Sequence, residues 1–494
     1  MTLLLLTLIV PLATAAAGAV GGPRKIKEAL LISGLALTFG LCLATAAAFL
    51  ADGPIEQFEA ALRVDGLSAL MIVLNGFVGL LSGIYSVGYL RRNEELGRVT
   101  TRMRRELHGL IPAYVFALLL VCVSNNLGIL WIAVELTTLA SVFLVAYHNI
   151  DTSLEAAWKF LVLGSLGLGF ALLGTVMLFA AAQGQLGEGM SALNWTSLMD
   201  AAPGLHPFTL RLGVVFALIG YGTKAGLAPM HTWKPDAYRE APTAAGVLMA
   251  VGMLNAAMYC LLRVHLISSA AIGPEFSGGL LLALGLLSVL VAVPFIVIQW
   301  NLKRLLAYSS IEHVGIMAIG IGIGGEAGAF GALLHMTYHT FAKPVAFFSA
   351  GTLAQLHSSS NFDTMGGGTI GRAPIASVLL LLATVIITGS PPFGMFFSEM
   401  IILRAGFGGS HVLATSVLLA ALIVLFCGFA YQVGRLVLGP QPAEPRPEVT
   451  PETLDLCLVT AIVAGVIAVI AGVYLPGPLL DLIRAATQVL GGQR

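Results

Sequence analysis

Glu135 lies near the middle of LGILWIAVELTTLASVFLVAY, an apolar run with no other charged residue. A carboxylate at the centre of a membrane span costs about 2.5–3.5 kcal/mol on insertion scales, so it needs a partner, water or a proton. Lys224 stands in a second apolar run, just ahead of a Gly- and Pro-containing interruption, YGTKAGLAPM. Such an interruption frees backbone carbonyls that can solvate an ammonium. Burial works against a lysine cation and a nearby carboxylate favours it. A Glu135–Lys224 pair can therefore hold or release a proton according to its separation.

His335, His339 and Lys343 recur at i, i+4 and i+8 in ALLHMTYHTFAKP, which places them on one slowly drifting helix face. At 1.5 Å rise per residue the stripe runs about 12 Å. Neutral imidazole both accepts and donates a hydrogen bond, so the stripe suits proton hopping. HxxxH can also be a zinc pair, but the HExxH glutamate and an obvious third ligand are missing, and no metal is expected. Glu399 closes the series after a second interruption, TGSPPFGMFFSE. Plainer readings exist for each: a neutral structural acid for Glu135, a snorkelling lysine for Lys224, a core histidine pair, an outer-surface acid for Glu399. Lys159 in EAAWKFLVLG and His313 in SSIEHVG sit nearer helix ends, where snorkelling explains them at least as well, so they stand as possible relay members only.

The elements that carry these residues follow from composition. Hydrophobic residues make up 57% of the 494 and charged residues 10%, against about a quarter charged in soluble domains. At about 20 residues per spanning helix the chain accommodates about fourteen spans. They are expected at 3–20, 29–50, 67–90, 109–123, 126–147, 156–182, 210–229, 242–267, 277–298, 305–324, 328–356, 374–400, 411–438 and 454–475. Met1 to Val20 lacks the basic n-region of a secretory signal and reads as the first span. The basic and acidic totals are equal, 25 and 25, so no nucleic-acid footprint is present. Cys42, Cys122, Cys260, Cys427 and Cys457 are single residues without ligand spacing, so no redox cofactor is expected in this chain.

The interruptions fall in the seventh and twelfth spans, five helices apart. Paired broken helices point to an inverted-repeat transporter with its ion site near mid-membrane. The expected fold is an all-α polytopic membrane protein with helices 1–3 in residues 1–108. Two inverted five-helix repeats follow, helices 4–8 in 109–267 and helices 9–13 in 277–438, and then helix 14 and a tail in 439–494. Basic residues cluster in alternate connections: Arg24, Lys25 and Lys27; Arg91, Arg92, Arg98, Arg102, Arg104 and Arg105; Lys234 and Arg239; Lys303 and Arg304. Acidic Asp52, Glu56, Glu59 and Asp65 fill an intervening one. By the positive-inside rule the basic group is cytoplasmic, and both termini of this multi-pass plasma-membrane protein face outward.

Certain stretches are more specific. KAGLAPMHTWKPDAYREAPT from Lys224 to Thr243, KRLLAYSS from Lys303 to Ser310 and GMFFSE up to Glu399 resemble the antiporter-like proton-channel subunits of complex I, membrane-bound hydrogenases and multisubunit sodium/proton antiporters. The resemblance covers helices 4 to 13, and EAAWKFLVLGS with Asn255 is most like the branch of hydrogenase 4 component F. It implies Glu135 as the helix-5 carboxylate, Lys224 as its helix-7 partner, His335, His339 and Lys343 as the helix-11 relay, and Glu399 as the terminal group. Asn255 departs from the pattern, standing where many members carry a helix-8 lysine, so the relay here must pass it by bound water, a histidine or another route.

The expected function is that of a proton-translocating subunit in an energy-converting oxidoreductase whose redox chemistry lies in other subunits, with lipids and further membrane subunits as partners. One rival is a subunit of a sodium/proton antiporter, moving Na+ as well as protons; another is a scaffold with a vestigial channel. Nickel, flavin or iron–sulfur absorbance co-purifying with the chain separates the first rival. Asn255 speaks for the second, and joint retention of Glu135, Lys224, His339 and Glu399 against it.

Overall fold

The computed structural model describes residues 3–186, 189–440 and 451–491, and nearly all of them are helical or in short connections. Helices α1 (Leu3–Ala19) and α2 (Arg24–Asp52) lead to a small antiparallel hairpin of β1 (Ile55–Gln57) and β2 (Leu62–Val64). Then come α3 (Gly66–Glu95), α4 (Thr101–Val123), α5 (Leu127–Val145), α6 (Asp151–Ala181) and the short α7 (Trp195–Asp200). The first interrupted segment is α8 (Pro207–Ala225), a turn, and α9 (Lys234–Glu240). After it α10 (Thr243–Val247), a π-helical stretch Leu248–Met253 and α11 (Leu254–Ile272) form one continuous rod. Helices α12 (Pro274–Val297), α13 (Leu302–Ile323), α14 (Gly325–Leu356) and the short α15 (Phe362–Met365) precede the second interrupted segment. That segment is α16 (Pro374–Ile387), residues 388–393 outside any helix, and α17 (Gly394–Gly408). Finally α18 (Val412–Leu438), α19 (Leu456–Val473) and α20 (Gly477–Leu490) close the chain.

Among the described residues ten helices are long and apolar enough to cross a membrane, and the chain is a multi-pass membrane protein. Polar side chains fix where the spans begin. Asp65 caps α3 by accepting from the Ser68 amide at 2.9 Å, Asn126 caps α5 through the Gly128 amide at 3.0 Å, and Asn301 caps α13 through the Arg304 amide at 3.1 Å. Each supplies an acceptor to a backbone donor that a helix start leaves orphaned.

The apolar positions sort into two environments. The rod α10–α11, α13 and α14 are buried along most of their length, whereas α5, α6, α12 and α18 expose large apolar residues such as Ile132, Phe143, Leu166, Leu290 and Ile423. Exposed apolar surface of this extent suits lipid or other membrane subunits. Within the bundle small residues permit close approach: a Cβ at Gly174 on α6 would fall 2.5 Å from the Ala217 amide nitrogen of α8. That contact sets α8, and Lys224 at its end, against α6.

At one end of the bundle α2, α3 and α4 share an ion network. Glu28 pairs with Arg24 at 2.8 Å and Arg91 at 2.6 Å, and Glu94 pairs with Arg24 at 2.8 Å and with Arg104. These are residues of the first two basic clusters. Lys234, counted with the basic surface residues from sequence, is a correction: it is fully buried, with 0% of its surface exposed. In the segment expected as a tail after the fourteenth span, α20 follows α19 and packs against the start of α3, where a Cβ on Gly66 would press within 2.6 Å of the Ala485 carbonyl carbon.

Candidate functional site

Both interruptions are real breaks in helical structure. Helix α8 ends at Gly226, whose φ of 78° is left-handed, and helical geometry resumes only at α9. In the second segment Gly389 has φ 66°, and α17 starts at Gly394 after Pro391 and Pro392. Proline lacks the amide and crowds the preceding turn, and glycine adopts the left-handed conformation without a Cβ penalty. Each left-handed glycine also makes room for an ionisable side chain. A Cβ on Gly226 would collide with the end of the Lys234 side chain, and one on Gly389 with the Glu399 carboxylate.

Glu135 and Lys224 are joined through a third residue. The Lys224 ammonium donates to Thr138 Oγ1 at 2.8 Å, and that hydroxyl lies 3.3 Å from Glu135 Oε2, to which it can donate. Thr138 stands one turn after Glu135 on α5, so both point toward α8. Lys224 is buried and its charge feels Glu135, while its ammonium also lies 4.8 Å from the centre of the Phe160 ring on α6. The expected facing of the pair is present, with a hydroxyl between the charges instead of direct contact. Glu135 itself is half-buried.

The stripe on α14 is buried throughout: His335, His339 and Lys343 have 0% exposure. Its histidines do not bond to one another along the helix; His313 of α13 joins them. His313 Nδ1 lies 3.1 Å from His335 Nε2, and the His313 and His339 rings stand 5.1 Å apart in an edge arrangement. His335 Nδ1 in turn lies 2.9 Å from Ser398 Oγ, next in sequence to Glu399. Neither ring nitrogen of His339 has a hydrogen-bond partner among the described residues. The Lys343 ammonium donates to the Leu306 carbonyl at 3.1 Å.

Of the possible relay members, His313 is central and fully buried, while Lys159 stands apart, exposed and ion-paired with Glu155 at 2.6 Å and Asp236 at 3.3 Å. Asn255 is buried and donates to Thr340 Oγ1 of α14 at 3.0 Å, just past the π-helical stretch. A π-turn widens the helix and often marks a functional position. Two buried ionisable residues near the α14 stripe, Glu312 and Lys234, are not singled out by the sequence. Glu312 of α13 is 5% exposed and exchanges charge interactions with Lys343 on one side and Glu399 on the other. Lys234 donates to the Ala225 carbonyl at 2.5 Å. For Glu312 the available signal was its own isolation in an apolar helix beside His313.

Along this line of ionisable side chains, hydrogen bonds join Glu135, Thr138 and Lys224 and bring Lys234 to the carbonyl of Ala225, while Lys234 with Lys343, Lys343 with Glu312, and Glu312 with Glu399 are related by charge interactions. Lys303 lies off this line: it donates to the carbonyls of Arg239 at 3.3 Å and Ala241 at 2.9 Å and lines a cavity of about 310 Å³ with His148 and Tyr89.

Residues 124–424 match the family described as "NADH:quinone oxidoreductase/Mrp antiporter, TM", and residues 55–98 match "NADH-Ubiquinone oxidoreductase (complex I), chain 5 N-terminus". The chain is 34% identical over 428 residues to the hydrogenase-4 component F homolog of Methylacidiphilum infernorum, covering 86% of this chain and 88% of that protein. A chain of respiratory complex I from Thermus thermophilus with bound aureothin superposes with a TM-score of 0.74 at 26% identity, covering 98% of this chain and 100% of that one. A chain of the archaeal membrane-bound sulfane sulfur reductase has the same fold, with a TM-score of 0.84 at 22% identity over 99% of this chain and 98% of that one. With a matched region spanning more than half its length, the chain belongs to the NADH:quinone oxidoreductase/Mrp antiporter family of membrane proteins.

Proposed function

We propose that this chain is a proton-translocating, antiporter-like membrane subunit of an energy-converting respiratory complex of the membrane-bound hydrogenase or NADH dehydrogenase type. The observation that carries the reading is the line of buried ionisable side chains between two helix breaks, with Glu135 and Lys224 bridged by Thr138 at one end and Glu399 at the other. Ionisable groups inside a membrane are costly and are retained where they move or bind ions. When Glu135 is ionised it favours the Lys224 ammonium. When the pair separates or Glu135 is protonated, burial favours release of the proton toward α14.

The architecture that suits this work has fourteen spans, with α4 to α11 and α12 to α18 as two inverted units and both termini on the outer side. The half-buried setting of Glu135, flanked by exposed Ile132 and Leu139, fits a neighbouring membrane subunit against α5. His335, His339, Lys343 and His313 serve as the relay, with Glu399 as the terminal group.

Proton uptake into vesicles holding the chain with its native membrane partners is the test. Glu135→Gln keeps size and hydrogen bonding but deletes the charge, and Lys224→Met removes the carrier; both should abolish uptake while the complex still assembles. Wild-type pumping in both would leave a structural scaffold as the better account. Uptake that requires sodium in the wild type would instead favour an antiporter subunit.

A further inference from the structure

Lys234 belongs to α9, a helix of seven residues whose other charged groups, Asp236, Arg239 and Glu240, are partly exposed. Asp236 pairs with Lys159 at 3.3 Å and Arg304 at 3.4 Å, and Arg239 lies 3.3 Å from Glu240. Of these four charged residues Lys234 alone is fully buried, beside the buried Tyr238 ring at 6.0 Å, and it has no carboxylate within ion-pair distance among the described residues. Burying an ammonium without a carboxylate partner is costly. This one ends at the carbonyl of Ala225, the residue next to Lys224, with its arm laid across Gly226.

The charges of Lys343 and His339 on α14 act on that of Lys234, as does His231 from the break. The side-chain amide of Asn255, which reaches α14 through Thr340, neither gains nor loses a proton in this range. The second broken segment repeats the arrangement, with Glu399 laid on left-handed Gly389 as Lys234 is on left-handed Gly226.

We propose that Lys234 is a proton carrier of the line, occupying in the first broken segment the place Glu399 occupies in the second. The proposal rests on the proton-translocating reading. The neutral Lys234 amine takes one proton from the Lys224 ammonium, through water at the break. The resulting Lys234 ammonium passes that proton to the neutral amine of Lys343 or the imidazole of His339. Only H+ moves, and each donor returns to its neutral form. Repulsion between Lys234 and Lys343 makes simultaneous charging of both costly, so a proton arriving at one drives release from the other.

The test compares Lys234→Met, Lys234→Arg and Lys234→His with the wild type in vesicles containing the assembled membrane complex, reading proton uptake across a pH series. Methionine keeps the unbranched arm. Arginine keeps charge and donors but does not deprotonate. Histidine exchanges protons at lower pH than lysine. The expected result is a loss of about 100-fold in Met and Arg, with retained uptake in His and a pH profile displaced toward acid. Wild-type uptake in Met, or rescue by Arg of what Met loses, overturns the proposal, because a donor to the Ala225 carbonyl would then suffice. If Met does not assemble, the Arg-to-His comparison decides alone. Lys224→Met run in parallel separates the two ideas: normal uptake there refutes the reading itself, whereas a dead Lys224→Met beside a normal Lys234→Met refutes only the role of Lys234.

Discussion

Thr138→Val removes one hydroxyl at nearly constant shape, and the structure sets what that hydroxyl does. It is the hydrogen-bond acceptor of the Lys224 ammonium at 2.8 Å and lies 3.3 Å from Glu135 Oε2. A hydrogen bond to a charged group is worth about 1.5–3 kcal/mol and one to a neutral group about 0.5–1.5 kcal/mol. The charged form of Lys224 therefore loses about 1–1.5 kcal/mol more than the neutral form, a change of about five- to tenfold in its population. The contact between Lys224 and Glu135 weakens as well, since no other side chain among the described residues bridges them by hydrogen bonds. Proton uptake by vesicles carrying the assembled complex should fall by about five- to tenfold in Thr138→Val, while Thr138→Ser, which restores the hydroxyl, stays near wild type. Equal rates in wild type and Thr138→Val would refute the bridge, and so would a serine variant as slow as the valine one.

Other outcomes follow from the same geometry. Gly389→Ala forces a Cβ into the Glu399 carboxylate at a left-handed φ; uptake should drop several-fold with assembly preserved, and an unchanged rate would separate Glu399 from the break. Glu312→Gln should slow uptake by about tenfold or more, whereas redox turnover of the complex that stays coupled in this variant would remove Glu312 from the line. Arg263 is buried against Asp65 at 2.6 and 2.8 Å, under Trp195 at 4.1 Å. Arg263→Met strands a buried carboxylate and should cost about 3–5 kcal/mol, read as a lower melting temperature in detergent. Burial pushes the Asp65 carboxyl upward, but the Arg263 guanidinium outweighs it and holds the group below the usual carboxylate range. The stability from this pair is thus present above the ordinary aspartate value of about 3.9. It is lost as pH falls through the lower folded value, so a melt that is flat from pH 5 down to pH 2 would contradict the assignment.

The residues most easily read from sequence were those that violate their surroundings. Glu135 is alone in an apolar run, and Gly with Pro inside such runs marked both breaks at their positions. The stripe of His335, His339 and Lys343 followed from helical spacing. What escaped depended on neighbours in space. Lys234 stands among Asp236, Arg239 and Glu240 in a polar-looking stretch, and only the turn of α9 separates the buried lysine from the partly exposed charges. His313 stands in the middle of α13 and was ambiguous until the packing of α13 on α14 set it between His335 and His339. The role of Thr138 needs the approach of α8, and the π-helical stretch before Asn255 has no local sequence signature. The helix α20 lay beyond the last span, in a segment too polar to register as one.

Glu135 is half-buried on a face where Ile132 and Leu139 are exposed, which leaves its carboxylate open to charges from outside the chain. At an effective dielectric of about 20, two unit charges 4 Å apart interact by about 4 kcal/mol, enough to reverse the protonation of a group poised between states. On the proton-translocating reading, a charge brought to that face by a neighbouring membrane subunit would act on Glu135 from outside as Lys224 does from within, so that Glu135 would answer to two polypeptides at once.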